Sequence, residues 1–335
     1  MPHKTPAWWY DGSRVLPALL SPVSLVWNSV AKLHWTFSRK YSSKLPVICI
    51  GNLTAGGAGK TPAALAIARI LQQEGAKPAF LTRGYGGRKK GPHLVDRNSD
   101  LAGEVGDEPL LLSRVAPTVV AADRAKGAQL IETLEADVII MDDGFQNPGL
   151  TKDLSILVID CTTGIGNGRV LPAGPLRANL DQQLARAQAV VMIGDGSAGD
   201  ALIPHLKAFN LALFDAEIQV KDKATWLKSE PVIAFAGIGN PDKFFAMIEK
   251  LGGQLKGRVA FPDHHVFSRH EADDLLRRAK DEDALLVTTE KDLARIDGTD
   301  GLERLKREVK ALPVRLRFKD QGRLKRQLSR TLKRR

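Results

Sequence analysis

One stretch limits what this chain can fold into more than any other. Residues 47–61 read V-I-C-I-G-N-L-T-A-G-G-A-G-K-T. The apolar run at 47–50 reads as a buried strand, and it breaks into a segment holding Gly56, Gly57 and Gly59. Pro62 then opens an amphipathic helix, because the first helical position needs no N–H donor. Strand, glycine-rich loop, Lys-Thr and helix together form the phosphate cradle of P-loop nucleotide enzymes. The backbone of Thr54, Ala55, Gly56, Gly57, Ala58 and Gly59 and the helix N-terminus face the phosphates. Lys60 reaches the β- and γ-phosphates, and the Thr61 hydroxyl sits on Mg²⁺. The strict pattern has Gly where this chain has Thr54. The competing reading is a glycine turn in some other α/β protein, but G-K-T directly at a helix start is hard to reach by turn chemistry alone.

The rest of the pattern alternates in the manner of an α/β fold. Strands are expected at 78–81, 118–122, 138–141, 154–159, 189–193 and 211–218, with helices at 63–73, 110–112 and 127–134. A second α/β unit begins near Pro231, with strands at 232–236, 258–260 and 284–287. The expected architecture is a P-loop NTPase-like, mostly parallel sheet with a second, smaller α/β domain and an N-terminal membrane-associating helix. The expected divisions are an interfacial segment at 1–40, a P-loop core at 41–220 and a smaller C-terminal domain with a basic tail at 221–335.

The net charge of +11 sits at the ends. Residues 1–40 carry five basic residues against Asp11, and residues 315–335 carry ten against Asp320, which leaves the middle slightly acidic. Basic ends around a near-neutral body suit an anionic membrane surface. No RNA-binding aromatic motif or zinc spacing accompanies the charge, so no nucleic-acid partner is expected. Cys49 and Cys161 both fall in or beside expected strands and read as reduced core residues.

Four of the five tryptophans (Trp8, Trp9, Trp27, Trp35) lie in the first forty residues. Such rings settle at headgroup level. Ser21-Pro22 reads as a helix start. Beyond it Val23, Val26, Trp27, Val30, His34 and Phe37 share one helical face, with Ser24, Asn28, Lys32 and Arg39 on the other. A span needs ~20 mostly apolar residues, and Pro17, Pro22, Asn28 and Lys32 interrupt this one. The segment therefore reads as lying in the interface. An ordinary amphipathic helix packed on the domain is the competing reading. In the basic tail Leu324, Leu328 and Leu332 stand four apart, which fits either a basic amphipathic helix or a solvated tail.

Several other stretches carry chemistry. Arg83 lies in T-R-G-Y-G-G-R-K-K-G after a strand, the edge where open α/β sheets bind ligands, and either holds a phosphate or belongs to a solvated turn. Asp107 and Glu108 in G-D-E-P head a helix, and taken alone they read as its N-terminal cap. Asp142 and Asp143 end an apolar strand and lead into G-F-Q, the expected second half of a P-loop metal site. Residues 164–177 are too long and glycine-rich for a plain connection and read as a binding loop. G-I-G-N-P at 237–241 lacks the third glycine of a dinucleotide fingerprint. His264 and His265 in F-P-D-H-H have no third His or Cys at metal spacing.

Taken in order, G-N-L-T-A-G-G-A-G-K-T-P, L-T-R-G-Y-G-G, G-D-E-P, D-D-G-F-Q, G-R-V-L-P-A-G-P-L-R, F-P-D-H-H and T-T-E-K-D resemble the tetraacyldisaccharide 4′-kinase family, the lipid A kinases of Gram-negative bacteria. The resemblance spans residues 47–292. It implies ATP and Mg²⁺ as cofactors and γ-phosphate transfer to the 4′-hydroxyl of a tetraacyldisaccharide 1-phosphate lipid. It also implies a site on the cytoplasmic face of the inner membrane, with the nucleotide between two domains and no obligate protein partner. By the same resemblance Asp107 and His264 form an acid–base dyad, with His265 left open as the partner. Asp142 and Asp143 serve the metal, and Arg83, Gln146 and Arg177 face the substrate. Many relatives continue the last motif with Glu where this chain has Ala178, so no role of that carboxylate transfers. A function from another class is a membrane-recruited P-loop ATPase switch that binds a protein partner. The acceptor-side motifs favour the kinase.

Overall fold

The computed structural model describes residues 5–221 and 224–333. Lys4, Arg334 and Arg335, which belong to the charged ends, lie outside the described residues. Thirteen strands are described: β1 Val47–Asn52, β2 Pro78–Thr82, β3 His93–Leu94, β4 Thr118–Val120, β5 Val138–Asp142, β6 Leu154–Asp160, β7 Ala189–Ile193, β8 Ala212–Val220, β9 Pro231–Ala236, β10 Gln254–Ala260, β11 Leu285–Thr289, β12 Val309–Leu312 and β13 Val314–Phe318. They form a nine-stranded sheet in the order β13-β8-β7-β6-β1-β5-β2-β4-β3 and a four-stranded sheet in the order β10-β9-β11-β12.

In the large sheet all pairs are parallel except the two edges, β13 on β8 and β3 on β4. Its central strands are apolar on both sides because helices cover both faces. Every residue of β1 and β5 is buried. On one face Ile67 and Leu71 of helix Lys60–Gln73 pack with Phe80, Ile140 and Ile156, and on the other Met141, Leu157 and Ile159 pack with Ile131 and Leu184. The chain runs from β1 to strands on one side and later, at β6, to the other. That reversal opens a crevice at the carboxyl ends of β1, β5 and β6, the position for a ligand in such sheets.

Two expectations change here. Residues 221–335 were expected to form the smaller unit, yet its sheet ends at β12. The next strand, β13, returns to pair with β8 from Val314↔Val220 to Phe318↔Ala216. Helix Gln321–Leu332 then seats Leu324 and Leu328 in the main core beside Leu316 and Phe318. These side chains find apolar surface only on the large sheet and helix Lys60–Gln73, so the tail is neither solvated nor free.

The N-terminal helix begins at Val15 rather than at Ser21-Pro22, and runs to Phe37 with Pro22 inside it. Its faces are inverted relative to a core helix. Ser24 is buried, donating from Oγ to the Val170 carbonyl (2.8 Å) and accepting from the Ala173 N–H (3.1 Å). Asn28 accepts from the Asn179 N–H at 2.9 Å, and Trp27 Nε1 donates to the Arg177 carbonyl at 3.2 Å. The apolar side is bare: Val23, Val26, Val30, Leu33 and Phe37 are all more than half exposed. The alternative of an apolar face packed on the domain is therefore overturned.

Candidate active site

The P-loop leaves β1 at Asn52, whose Nδ2 donates to the carbonyls of Thr54 (2.7 Å) and Gly56 (3.2 Å) and so fixes the start of the turn. Gly59 takes φ +86° just before the helix, and a Cβ there would lie 2.6 Å from the Ile193 side chain. The helix begins at Lys60, so Pro62 falls in its first turn rather than opening it. Lys60 Nζ lies 3.4 Å from the Gly56 carbonyl and 3.8 Å from Asp143, folded back over the loop. Thr54 stands at the departure from the strict glycine pattern; it is buried and its carbonyl accepts from Arg177 Nε at 3.1 Å.

The two aspartates after β5 differ. Asp142 is fully buried, and its Oδ2 accepts from Thr61 Oγ1 at 3.2 Å while Oδ1 has no partner among the described residues. Burial, then the charges of Glu108 and Asp143, push its carboxyl up to about 7. A buried carboxylate oxygen without a donor, beside a hydroxyl, calls for a cation. Asp143 instead accepts from Arg177 Nη1 at 3.2 Å and faces Lys60. Burial opposes ionisation of Asp143, but Lys60 and Arg177 outweigh it and hold the group below its ordinary value.

Gly106 precedes helix Asp107–Ser113 at φ +96°, where a Cβ would meet the Tyr85 carbonyl at 2.6 Å. This tight turn buries Asp107, whose carboxylate makes no helix cap. Its Oδ2 accepts from Arg295 Nη2, and Oδ1 lies 3.5 Å from His264 Nδ1. Burial works against ionisation, yet His264, Arg295 and Lys291 hold Asp107 well below the usual carboxylate range. For His264 burial lowers and Asp107 raises, and the net shift is upward. His264 adopts φ +57°, which turns its ring toward Asp107 and against Tyr85, 4.9 Å between centroids. His265 turns away to Glu271 (3.0 Å) and stacks on Phe261. The pairing left open between the two histidines thus falls to His264.

The dyad spans the two sheets' units. Lys291, on helix Glu290–Ile296 after β11, pairs with Glu108 at 2.6 Å, and Arg295 one turn further holds Asp107, Asp292 and the Gly237 carbonyl. Across the P-loop, Gly239 comes so close that a Cβ on it would lie 3.5 Å from the Gly57 nitrogen. Lys243 reaches Asp160 and Thr162 from the same side. A cleft of about 290 Å³ lies there, between Thr54, Gly56 and Gly57 of the loop, Asp160 of β6, and Asn240.

Sequence reasoning missed Arg295, Lys291 as a partner of Glu108, and Arg124. The four-residue spacing of Lys291 and Arg295 on one helix face was their signal. Arg124 is buried, donates to the Ala121 and Ala122 carbonyls, and leaves Nε unpaired. Arg83 is exposed, with no hydrogen bond or ion pair among the described residues. Gln146 gives its amide to the Asn52 carbonyl and Gln183 and accepts from Arg177, so it ties loops together.

A phosphate cradle that ends against a buried carboxylate–imidazole pair is built to pass a phosphoryl group onward, and the chain falls in the class of P-loop phosphotransferases. The sequence profile of the tetraacyldisaccharide-1-P 4′-kinase family matches residues 16–333. The chain is similar to a tetraacyldisaccharide 4′-kinase of Parvibaculum lavamentivorans, 46% identical over 93% of both chains. It is 45% identical to that of a Bradyrhizobium species, over 95% of this chain and 92% of the relative. Among solved structures it resembles LpxK from Aquifex aeolicus in complex with ATP, at a TM-score of 0.73 and 27% identity over 95% of this chain and 100% of that one. The chain belongs to the tetraacyldisaccharide-1-P 4′-kinase family, and it is an ATP-binding kinase of lipid A biosynthesis.

Proposed function

We propose that this chain moves the γ-phosphate of ATP to the 4′-hydroxyl of a tetraacylated disaccharide 1-phosphate at the cytoplasmic surface of the bacterial inner membrane, through the following division of labour. The backbone of residues 54–59 and Lys60 hold the phosphates, which supports charge spread over the transferring group. Thr61 and Asp142 would hold Mg²⁺, a hard cation suited to one carboxylate, one hydroxyl and substrate phosphates. When bound it would neutralise phosphate charge. Asp143 orders Lys60 and Arg177 instead. Asp107 and His264 take the proton of the attacking hydroxyl: Arg295 fixes Asp107 as an anion, and the imidazole beside it accepts. The lipid comes from a bilayer, and the bare apolar face of helix Val15–Phe37, seated by its polar side on residues 170–179, meets it there. By length and composition this helix is also apolar enough to cross a membrane. Its hydrogen-bonded polar side supports lying on the surface.

One observation carries the reading: a carboxylate and a histidine from different units meet, buried, at the mouth of the phosphate cradle. The test is transfer of labelled γ-phosphate to the disaccharide lipid. Asp107→Ala should lower kcat by about 10²–10⁴-fold with the KM for ATP near wild type. Label released only as free phosphate, with or without lipid, would instead mark an ATPase switch.

A further inference from the structure

At the far end of the exposed helix, three cations gather on one indole. The Arg186 guanidinium carbon lies 3.9 Å from the Trp35 ring centroid, Lys152 Nζ at 4.8 Å and Lys40 Nζ at 5.7 Å. No carboxylate pairs with any of the three among the described residues. Lys152 donates to the Phe145 and Asn147 carbonyls; Lys40 and the Arg186 guanidinium have no hydrogen-bond acceptor among the described residues. Burial, and after it the like charges of Arg186 and Lys40, hold the Lys152 ammonium below its ordinary range. Like charges this close to one another are costly without an anion between them.

The geometry also says what kind of anion. A guanidinium lying face-on against an indole uses its π face there and keeps its in-plane N–H groups free, the fork that matches a phosphate's oxygens. The site lies on the last turns of helix Val15–Phe37, beside Leu33 and Phe37, which are 56% and 78% exposed. Lys40 is exposed and Arg186 half-buried, so the stems lie along the protein while the charges reach outward. Trp35 stands eight residues beyond Trp27, roughly 12 Å along the helix axis. Trp27 is the residue that touches Arg177 at the catalytic cleft. The cluster therefore goes with the bilayer plane, away from the reacting sugar.

We propose that Trp35, Arg186, Lys40 and Lys152 form a binding site for the phosphate of an anionic bilayer phospholipid. The site rests on the membrane-surface reading above and adds a headgroup preference to it. The test uses the full chain and vesicles of phosphatidylcholine, with or without phosphatidylglycerol. The double variant Lys40→Gln/Arg186→Gln should bind phosphatidylglycerol vesicles about fivefold more weakly per charge removed, with binding to pure phosphatidylcholine and the thermal unfolding midpoint unchanged. Lys40→Gln alone, at an exposed position, should show the single fivefold step and serves if the double variant folds poorly. An undiminished preference for phosphatidylglycerol overturns the site. So does a raised KM for the disaccharide lipid in neutral micelles with that preference intact, which would give the cluster to the substrate's own phosphate. Wild-type protein that binds neither vesicle defeats the membrane reading itself, a result distinct from either.

Discussion

The two terminal helices look alike in sequence and are used in opposite ways. Helix Gln321–Leu332 turns Leu324 and Leu328, both essentially inaccessible, into the main core, and its basic side faces out, with Lys325 on Glu74 at 2.7 Å. Helix Val15–Phe37 does the reverse: Ser24 and Asn28 meet the protein, and ten of its large apolar residues stand exposed. Both carry an apolar stripe at helical spacing. The surface each one meets makes the difference. The tail arrives over helix Lys60–Gln73 and the edge strand β13, an apolar bed. The N-terminal helix arrives over residues 169–179, a loop whose carbonyls and N–H groups need polar partners.

Four substitutions would break or sharpen this contrast, each read by urea unfolding. Leu328→Ala should cost about 2–5 kcal/mol, since it opens a cavity in the main core; a loss near zero would return the tail to solvent. Ser24→Ala should cost about 1–3 kcal/mol, because it strips partners from the Val170 carbonyl and the Ala173 N–H. Lys325→Gln, which removes an ion pair at the surface, should cost under about 1 kcal/mol. The combined change Val26→Ser, Val30→Ser and Leu33→Ser should move stability least, within about 0.5 kcal/mol per site, while vesicle binding is lost. If that triple variant unfolded as readily as Leu328→Ala, its side chains would be core and the contrast would fall.

Much of the site could be read locally. Gly59, Lys60 and Thr61 follow a strand and open a helix, and that local order alone fixes a phosphate cradle. Asp142 was legible as the polar end of an apolar strand, but its separation from Asp143 was not. Which of two adjacent carboxylates stays unpartnered depends on where Lys60 and Arg177 arrive from other parts of the chain. Asp107 read locally as a helix cap. Its burial under Arg295 comes from an element 188 residues away, and no spacing in the sequence measures that contact. Gln146 shows the opposite limit: its motif marked it as functional, while its amide is occupied in joining β1 to the loop after β5.

The sequence by itself determined the α/β alternation, the phosphate cradle at the first strand and the existence of two amphipathic ends. Each of these is a matter of periodicity and of backbone conformation within about one turn of chain. Only the tertiary structure decided which end faces inward, that the tail rejoins the first sheet, and which histidine and which aspartate meet a partner. A side chain's charge state and burial are set by neighbours in space, and those neighbours come from strands and helices far apart along the chain.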